Sequence, residues 1–373
     1  MRASAGECID HRGIKVIALP ALGYSRNVSA RRYLDHRRVA SAFRAIAPRQ
    51  SPPDLILASV PCHHLAAAGV EYARERRIPC AVDLRDLWPD VFGQIFPKWL
   101  SKIVLASEFR VLRRALRNAD ALLGISPGYV SLAVERAGRA SSPHDRYFYL
   151  GAPPIPEAMP ALPPCLPGAQ DKKLFVYAGS YGLSYELLLV ANAARELAKR
   201  RTDFMVVFAG AGDQEATLKE AMAHHPSALA VGWLPGPQLA ALVSQAYVGL
   251  APFRRGSPQS VPNKAFDYFA AGVPVISSLE GEMQSLLEEQ QLGMSYRAGD
   301  YADLTRVLDQ VLSRPALRDA WAKNAAAFFA REGNAERIYE AYSSHLENLV
   351  ERYSGNDGSP ELAVGTGTGV DRP

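Results

Sequence analysis

Through most of its length this chain alternates short apolar runs with longer stretches of helical period, and that alternation constrains the fold more than any other feature. In the first part the apolar runs are Ile14–Pro20, Asp54–Val60, Cys80–Leu84, Ala119–Ile125 and Tyr147–Leu150. Between them, Arg38–Ala47, Leu65–Arg77, Ser101–Arg117 and Gly128–Gly138 carry apolar residues at helical spacing. Strand–helix–strand units of this length predict a parallel sheet with helices on both faces. The interval GAPPIPEAMPALPPCLPG, residues 151–168, then breaks the pattern, because its prolines forbid both helix and central strand; it reads as a linker.

The alternation resumes beyond it. Strands are expected at Lys173–Ala178, Met205–Ala209, Ala228–Val231, Val248–Pro252, Val275–Ser277 and Met294–Tyr296, with helices between and after them. A last helix is expected over 335–353, followed by an aperiodic, disordered tail over 354–373. With 373 residues, two cores are needed rather than one. The predicted class is therefore α/β, with two doubly wound, Rossmann-like domains at 1–150 and 169–334. In such folds ligands bind at the carboxyl ends of the strands, and the crevice where the two domains face each other is where chemistry is expected.

Composition removes several other classes. No run approaches the length of apolar sequence that a membrane-spanning helix requires, and the opening MRASAGECIDHRG has no signal-peptide core. The four cysteines include no CxxC pair, so neither a disulfide framework nor a structural zinc site is expected, and a cytoplasmic setting fits. Charge is uneven: the first 150 residues hold 23 Lys/Arg against 13 Asp/Glu, the rest 19 against 25. A basic first domain suits an anionic partner, although diffuse surface charge accounts for it equally well.

The densest chemical signal lies in APFRRGSPQSVPNKAFDYFAAGVPVISS, residues 251–278. An apolar strand ends at Pro252, a polar loop carries Arg254, Arg255, Ser257 and Ser260, and a helix opens near Lys264. Loop amides, a helix N-terminus and fixed cations together suit a diphosphate. Asp267, three residues into that helix, is placed to take ribose hydroxyls. The plainer reading is that Asp267 offsets the helix dipole and Lys264 is solvated. In the first part, VDLRDLWPD sets Asp83, Arg85 and Asp86 at a strand end, where they either orient an acceptor or form a structural pair. His63 and His64 follow the strand LILASV toward the same edge; such histidines more often cap helices than catalyse.

The run SVPNKAFDYFAAGVPVI resembles the donor-nucleotide motif of the retaining, GT-B-fold glycosyltransferases of family 4, also called group 1. Their E-x7-E pattern falls on Gln259 and Asp267, so both glutamates are replaced; a bacterial P-S-K-x-x-E-Y-x-A-x-G form is matched more closely, through Lys264 and Asp267. LFVYAGSYG, VVFAGAGDQEATLKE, VGWLPGPQLAALVSQAYVGLAPF and GEMQSLLEEQQLGMSYRAGDYADLTRVL resemble successive segments of the same nucleotide domain. VDLRDLWPD and ADALLGISPGYV resemble the acceptor domain of the members that build surface polysaccharides. The resemblance extends over about residues 14–345.

It implies a hexosyl or aminohexosyl transferase, independent of metal and needing no cofactor beyond a nucleotide diphosphate sugar as co-substrate. The acceptor would be a glycan or a polyprenyl-linked sugar. Lys264 and Arg254 would meet the phosphates, with Ser260 beside them; Asp267 would meet the ribose, and Gly179 and Gly182 would admit the backbone close to the donor. Asp83, Arg85, Asp86 and His63 would serve the acceptor side. Two departures stand out. The family's opening strand and glycine turn have no counterpart before Ile14–Pro20, so the first sheet is expected to lack a strand and the chain to be truncated at its N-terminus. The loop SYGLSYE also lacks the Arg and Lys that often contact the diphosphate, which leaves that charge to Arg254 and Lys264. A non-catalytic sugar-nucleotide-binding homologue and a sugar-nucleotide epimerase are the competing functions.

PKWLSKIVLASEFRVLRRALRN interleaves Trp99, Ile103, Phe109 and Leu112 with Lys98, Lys102, Arg110, Arg113, Arg114 and Arg117. That pattern suits a helix lying on an anionic membrane surface, and also a core-packed helix with a basic outer face. Nucleic acid is not an expected partner, because no recognised binding motif accompanies the charge.

Overall fold

The computed structural model describes residues 6–9, 12–24, 29–86, 98–156, 169, 171–225, 227–257 and 259–355. The end of VDLRDLWPD, the side chain of Trp99, most of the proline-rich interval and the tail beyond 355 lie outside the described residues. The chain divides into two compact units, one of Met1–Leu123, Val130–Arg146 and Tyr342–Pro373, the other of Gly124–Tyr129 and Tyr147–Ala341.

In the first unit, β1 (Gly6–Ile9) and β2 (Lys15–Ala18) pair antiparallel, with Gly6 opposite Ala18. α1 (Ala30–Ile46) follows, its first turn capped by Ser29, whose hydroxyl accepts from the Arg32 amide at 3.2 Å. β3 (Ile56–Val60), α2 (His63–Arg76), β4 (Cys80–Leu84), α3 (Lys98–Asn118), β5 (Ala121–Gly124), α4 (Pro127–Ala137) and β6 (Arg146–Tyr147) complete the alternation. The sheet order is β3-β4-β5-β6, and β3 and β4 run parallel. β4 is buried throughout, Asp83 included, as a strand covered on both faces must be.

Two expectations are corrected here. Ile14–Pro20 does not enter the parallel sheet; its core pairs with β1 in a separate two-stranded sheet, and Ile14 and Val16 remain exposed. The helix expected from Leu65 starts two residues earlier, so His63 and His64 form the first turn of α2.

The second unit holds β7 (Lys173–Ala178), α5 (Leu187–Leu197), β8 (Phe204–Ala209), α6 (Glu215–Met222), β9 (Ala228–Gly232), α7 (Gly236–Ser244), β10 (Val248–Ala251), α8 (Asn263–Ala270), β11 (Val275–Ser277), α9 (Glu282–Glu289), β12 (Gly293–Ser295), α10 (Tyr301–Ser313) and α11 (Pro315–Phe328). α12 (Ala335–Gly355) begins in this unit and, from Tyr342, belongs to the first. The six strands are parallel in the order β12-β11-β10-β7-β8-β9. Along β7, Leu174, Val176 and Ala178 enter one core while Phe175 and Tyr177 enter the other. The period-two alternation therefore feeds two apolar layers, which is why the strand reads as continuously hydrophobic.

That strand order fixes where a ligand can sit. From β7 the chain winds outward through β8 to β9, then returns to β10 on the other side of β7 and winds outward again. The reversal falls between β7 and β10, and the loops beyond their carboxyl ends are the natural binding edge. Those two strands pair only through Val248–Phe175 and Gly249–Val176. Where they part, the Tyr268 hydroxyl, carried by α8, donates to the Val176 carbonyl at 3.0 Å and accepts from the Ala178 amide at 2.9 Å. The gap is thus filled with its backbone groups satisfied.

Candidate functional site

At the carboxyl end of β7 the chain turns through Gly179, whose φ of 144° suits glycine. Its amide donates to the Ala209 carbonyl at 3.0 Å, and Tyr181 donates to Ala211 at 2.8 Å, so the loops after β7 and β8 run side by side. The approach is closest at Gly210, where a Cβ would fall 1.8 Å from the Gly179 oxygen. Gln214 ties the arrangement down by donating to the carbonyls of Gly182 and Tyr185 at 2.6 and 3.1 Å. Gly182 itself carries no such requirement. Its φ lies outside the left-handed region, and a Cβ there would meet only the Ser180 hydroxyl at 3.6 Å.

The loop after β10 is stitched to the same place. Tyr185 and Phe253 form an antiparallel bridge, and the Arg254 amide donates to the Ser184 carbonyl at 2.9 Å. Arg254 is exposed at the start of a turn closed by the Ser257 amide on its carbonyl. α8 then opens after Pro262, and its second residue is Lys264.

Lys264 is not the solvated lysine that the sequence allowed. Its Nζ is buried, has no hydrogen-bond partner among the described residues, and lies 3.8 Å from the centroid of Tyr185, 4.0 Å from Tyr177 and 5.7 Å from Phe253. Burial lowers its pKa to about 7, with the Asp267 charge pulling the other way. The ring faces also favour the ammonium, since their quadrupoles attract a cation. A Cβ added at Gly179 would sit 3.1 Å from this nitrogen, so the bare glycine face is the opening beside the lysine.

Asp267 follows one turn later on α8. It is exposed along its length, yet the protein packed around its carboxyl raises its pKa, and Lys264 counteracts that. It also forms part of the wall of a cavity of about 190 Å³ lined by Pro156, Ala178, Gly236, Leu239 and Val243. Lys264, Asp267, Gly179 and the Arg254 loop are thus assembled at the strand reversal. Ser260 is engaged differently: its hydroxyl bonds to the Glu282 carboxylate and lies 2.9 Å from the Ser126 hydroxyl, which donates to Glu282 at 2.7 Å.

The remaining expected residues lie in the first unit. Asp83, buried at the end of β4, accepts from Arg85 Nε at 2.6 Å and from the Tyr342 hydroxyl at 3.1 Å. Asp86 follows in the bend beyond the strand. His63 is fully enclosed, its Nε2 2.6 Å from Glu108 Oε2, and this places it within the helix packing rather than on an acceptor surface. Burial alone would raise the Glu108 pKa. Hydrogen bonds from His63, His64 and Arg37 outweigh it and hold the carboxyl far below its usual range.

Sequence reasoning missed the aromatic cage, Glu282, Glu108 and Tyr342. Tyr177 and Tyr185 flank the loop after β7, Phe253 lies far along the chain, and the three carry no spacing signal. Glu282, just after Gly281 at a helix start, had the shape of an N-terminal helix residue and nothing more.

Residues 172–314 match the family model "Glycosyl transferases group 1", and residues 2–147 match "Glycosyl transferase 4-like domain". Among curated proteins there is no match. Among solved structures, sucrose-phosphate synthase from Thermosynechococcus elongatus is 17% identical, with a TM-score of 0.69 over 93% of this chain and 86% of that one. HepE of Anabaena, solved in complex with UDP, is 14% identical, with a TM-score of 0.64 over 83% and 82%. The UDP-forming α,α-trehalose-phosphate synthase from Burkholderia xenovorans is 17% identical, with a TM-score of 0.64 over 87% and 80%. At these identities the likeness establishes the fold, GT-B.

Proposed function

The chain belongs to the group 1 glycosyltransferases, retaining enzymes that use a nucleotide sugar, and from that premise we propose that its donor diphosphate docks on Lys264 at the opening of α8. The observation that carries this reading is the buried ammonium of Lys264. Among the described residues it is without a hydrogen-bond partner, and it sits beside the bare face of Gly179 at the point where the strand order reverses. A buried polar group in that state has an unmet demand, and a phosphate oxygen meets it.

In this reading Arg254 supplies the second cation, and Asp267 takes the ribose from the wall of its cavity. Gly179 and Gly210 let the backbone come close. Bond cleavage places positive charge on the sugar ring and negative charge on the departing diphosphate. Lys264 and Arg254 face that negative charge, and one such preorganised donor is worth about 3–4 kcal/mol in comparable sites. No metal is needed to carry that part of the charge. On the acceptor side, Arg85 meets the acceptor hydroxyls with Asp86 beside it, while Asp83, itself held by the Tyr342 hydroxyl, keeps the guanidinium in place.

The acceptor we propose is a glycan or polyprenyl-linked sugar of surface-polysaccharide assembly, handled by a cytoplasmic enzyme resting on the inner membrane face. The support for the last point is the outer face of α3: Arg110, Arg113, Arg114 and Arg117 are exposed, while Leu112 and Leu116 are buried in the unit's core. No helix among the described residues is long and apolar enough to cross a membrane. Since HepE is known with UDP, uridine nucleotides are the first donors to try. Calorimetry with UDP and GDP, followed by release of UDP from UDP-sugars, tests the reading. Absence of binding by either nucleotide would remove it.

A further inference from the structure

We propose that His63, His64 and Glu108 form a binding site for a divalent transition-metal ion of zinc type where α1, α2 and α3 meet. The two histidines are the first residues of α2, and Glu108 lies midway along α3. Both Nε2 atoms sit 2.6 Å from the same oxygen, Oε2 of Glu108, and the ligating atoms all lie within 4.8 Å of one another.

The carboxylate is divided between two tasks. Its other oxygen, Oε1, accepts from Arg37 Nη2 at 3.0 Å, from the Tyr33 hydroxyl at 3.0 Å and from Ser107 Oγ at 3.3 Å. That is the outer-shell arrangement which orients a ligating carboxylate, and it leaves Oε2 turned toward the imidazoles alone among these partners. Two imidazoles and one carboxylate are a ligand set that zinc accepts, with a fourth position left for water. The Glu108 and His63 side chains are wholly enclosed, whereas that of His64 is 13% exposed, so the open position lies on the His64 side. An ion here would cross-link α2 to α3 and fix the corner at which β3 passes into α2. It would act in the first unit, apart from the donor residues, all of which lie in the second. The cysteine count argues against a cysteine-held zinc and says nothing about this one.

Titration of the full chain, stripped with EDTA and dialysed, with CoCl2 and then ZnCl2 tests the site. One Co2+ per chain is expected, with the visible d–d bands of a low-coordinate nitrogen and oxygen site, displaced by one equivalent of Zn2+. His64→Gln, at the half-open edge, should weaken Zn2+ by more than about 100-fold, beyond the 10–100-fold that loss of an outer-shell partner brings. His224→Gln, at an exposed position of the second unit, should leave binding unchanged. X-ray absorption on the zinc-loaded wild type reads the ligands without any variant, and two imidazoles with one carboxylate oxygen support the site. Lack of stoichiometric binding, binding that survives in His64→Gln, or scattering from fewer than two imidazoles overturns it. The cluster is then two imidazole N–H groups sharing one carboxylate oxygen.

Discussion

Replacing Lys264 with methionine should make the free protein more stable at neutral pH while depriving it of its donor. Burial takes the Lys264 pKa from 10.5 to about 7, which corresponds to roughly 5 kcal/mol against the charged form at about 1.4 kcal/mol for each tenfold change. The aromatic cage opposes this: three ring faces at 3.8, 4.0 and 5.7 Å return about 0.5–2 kcal/mol apiece, or about 3 kcal/mol together. The remainder, about 2 kcal/mol, is what methionine should recover, since it keeps the length of the side chain and needs no partner. The sign with pH follows from proton counting. Between the folded value and 10.5 the unfolded chain binds more protons, so wild-type stability should rise with pH through that window and level off above it. In Lys264→Met that slope should vanish. Urea unfolding at several pH values from 7 to 10.5 measures both effects, and calorimetry with UDP should show affinity about 10–100-fold weaker, the span of a hydrogen bond to a charged group. A variant that is less stable at pH 7 and binds UDP as well as wild type would refute the reasoning, leaving the lysine as a structural cation of its cage.

Other expectations bear on the same surfaces. Asp267→Ala should weaken nucleoside diphosphate binding by about 1.5–3 kcal/mol, the range for a hydrogen bond to a charged group, while Asp267→Glu should retain or improve it; competition calorimetry with UDP separates the two outcomes. Gly179→Ala forces a side chain into a φ of 144° and toward Lys264 Nζ, so stability should fall by about 1–3 kcal/mol in urea unfolding, and UDP affinity should fall with it. Changing Arg110, Arg113, Arg114 and Arg117 together to Gln should reduce sedimentation with anionic vesicles at low salt, where the charges are least screened. Equal sedimentation of variant and wild type would remove α3 from any membrane role.

Local pattern is enough to set the layering of both units and the place of α8. Continuous apolar strands such as LFVYA and FMVVFA need cover on both faces, and helical periods between them supply it, so a parallel sheet follows from local pattern alone. The run from Pro252 to Asp267 likewise announces strand, loop and helix in order, and that helix then follows β10, next to the strand reversal between β7 and β10. The state of the side chains, by contrast, rests on contacts between distant segments. Neither reading of Lys264 from the sequence, phosphate contact or solvated cation, includes a cage, because nothing within its own helix forms one; Tyr177, Tyr185 and Phe253 reach it from outside that helix. His63 reads as a strand-end residue, yet Glu108, 45 positions away, encloses it in the packing of α2 against α3. Lys15–Ala18 has the composition of a central strand, but its hydrogen bonds are taken by Gly6–Ile9. Periodicity records which faces of the chain avoid water, a local property. Which groups then meet on those faces depends on contacts between distant segments, and only the folded chain sets them.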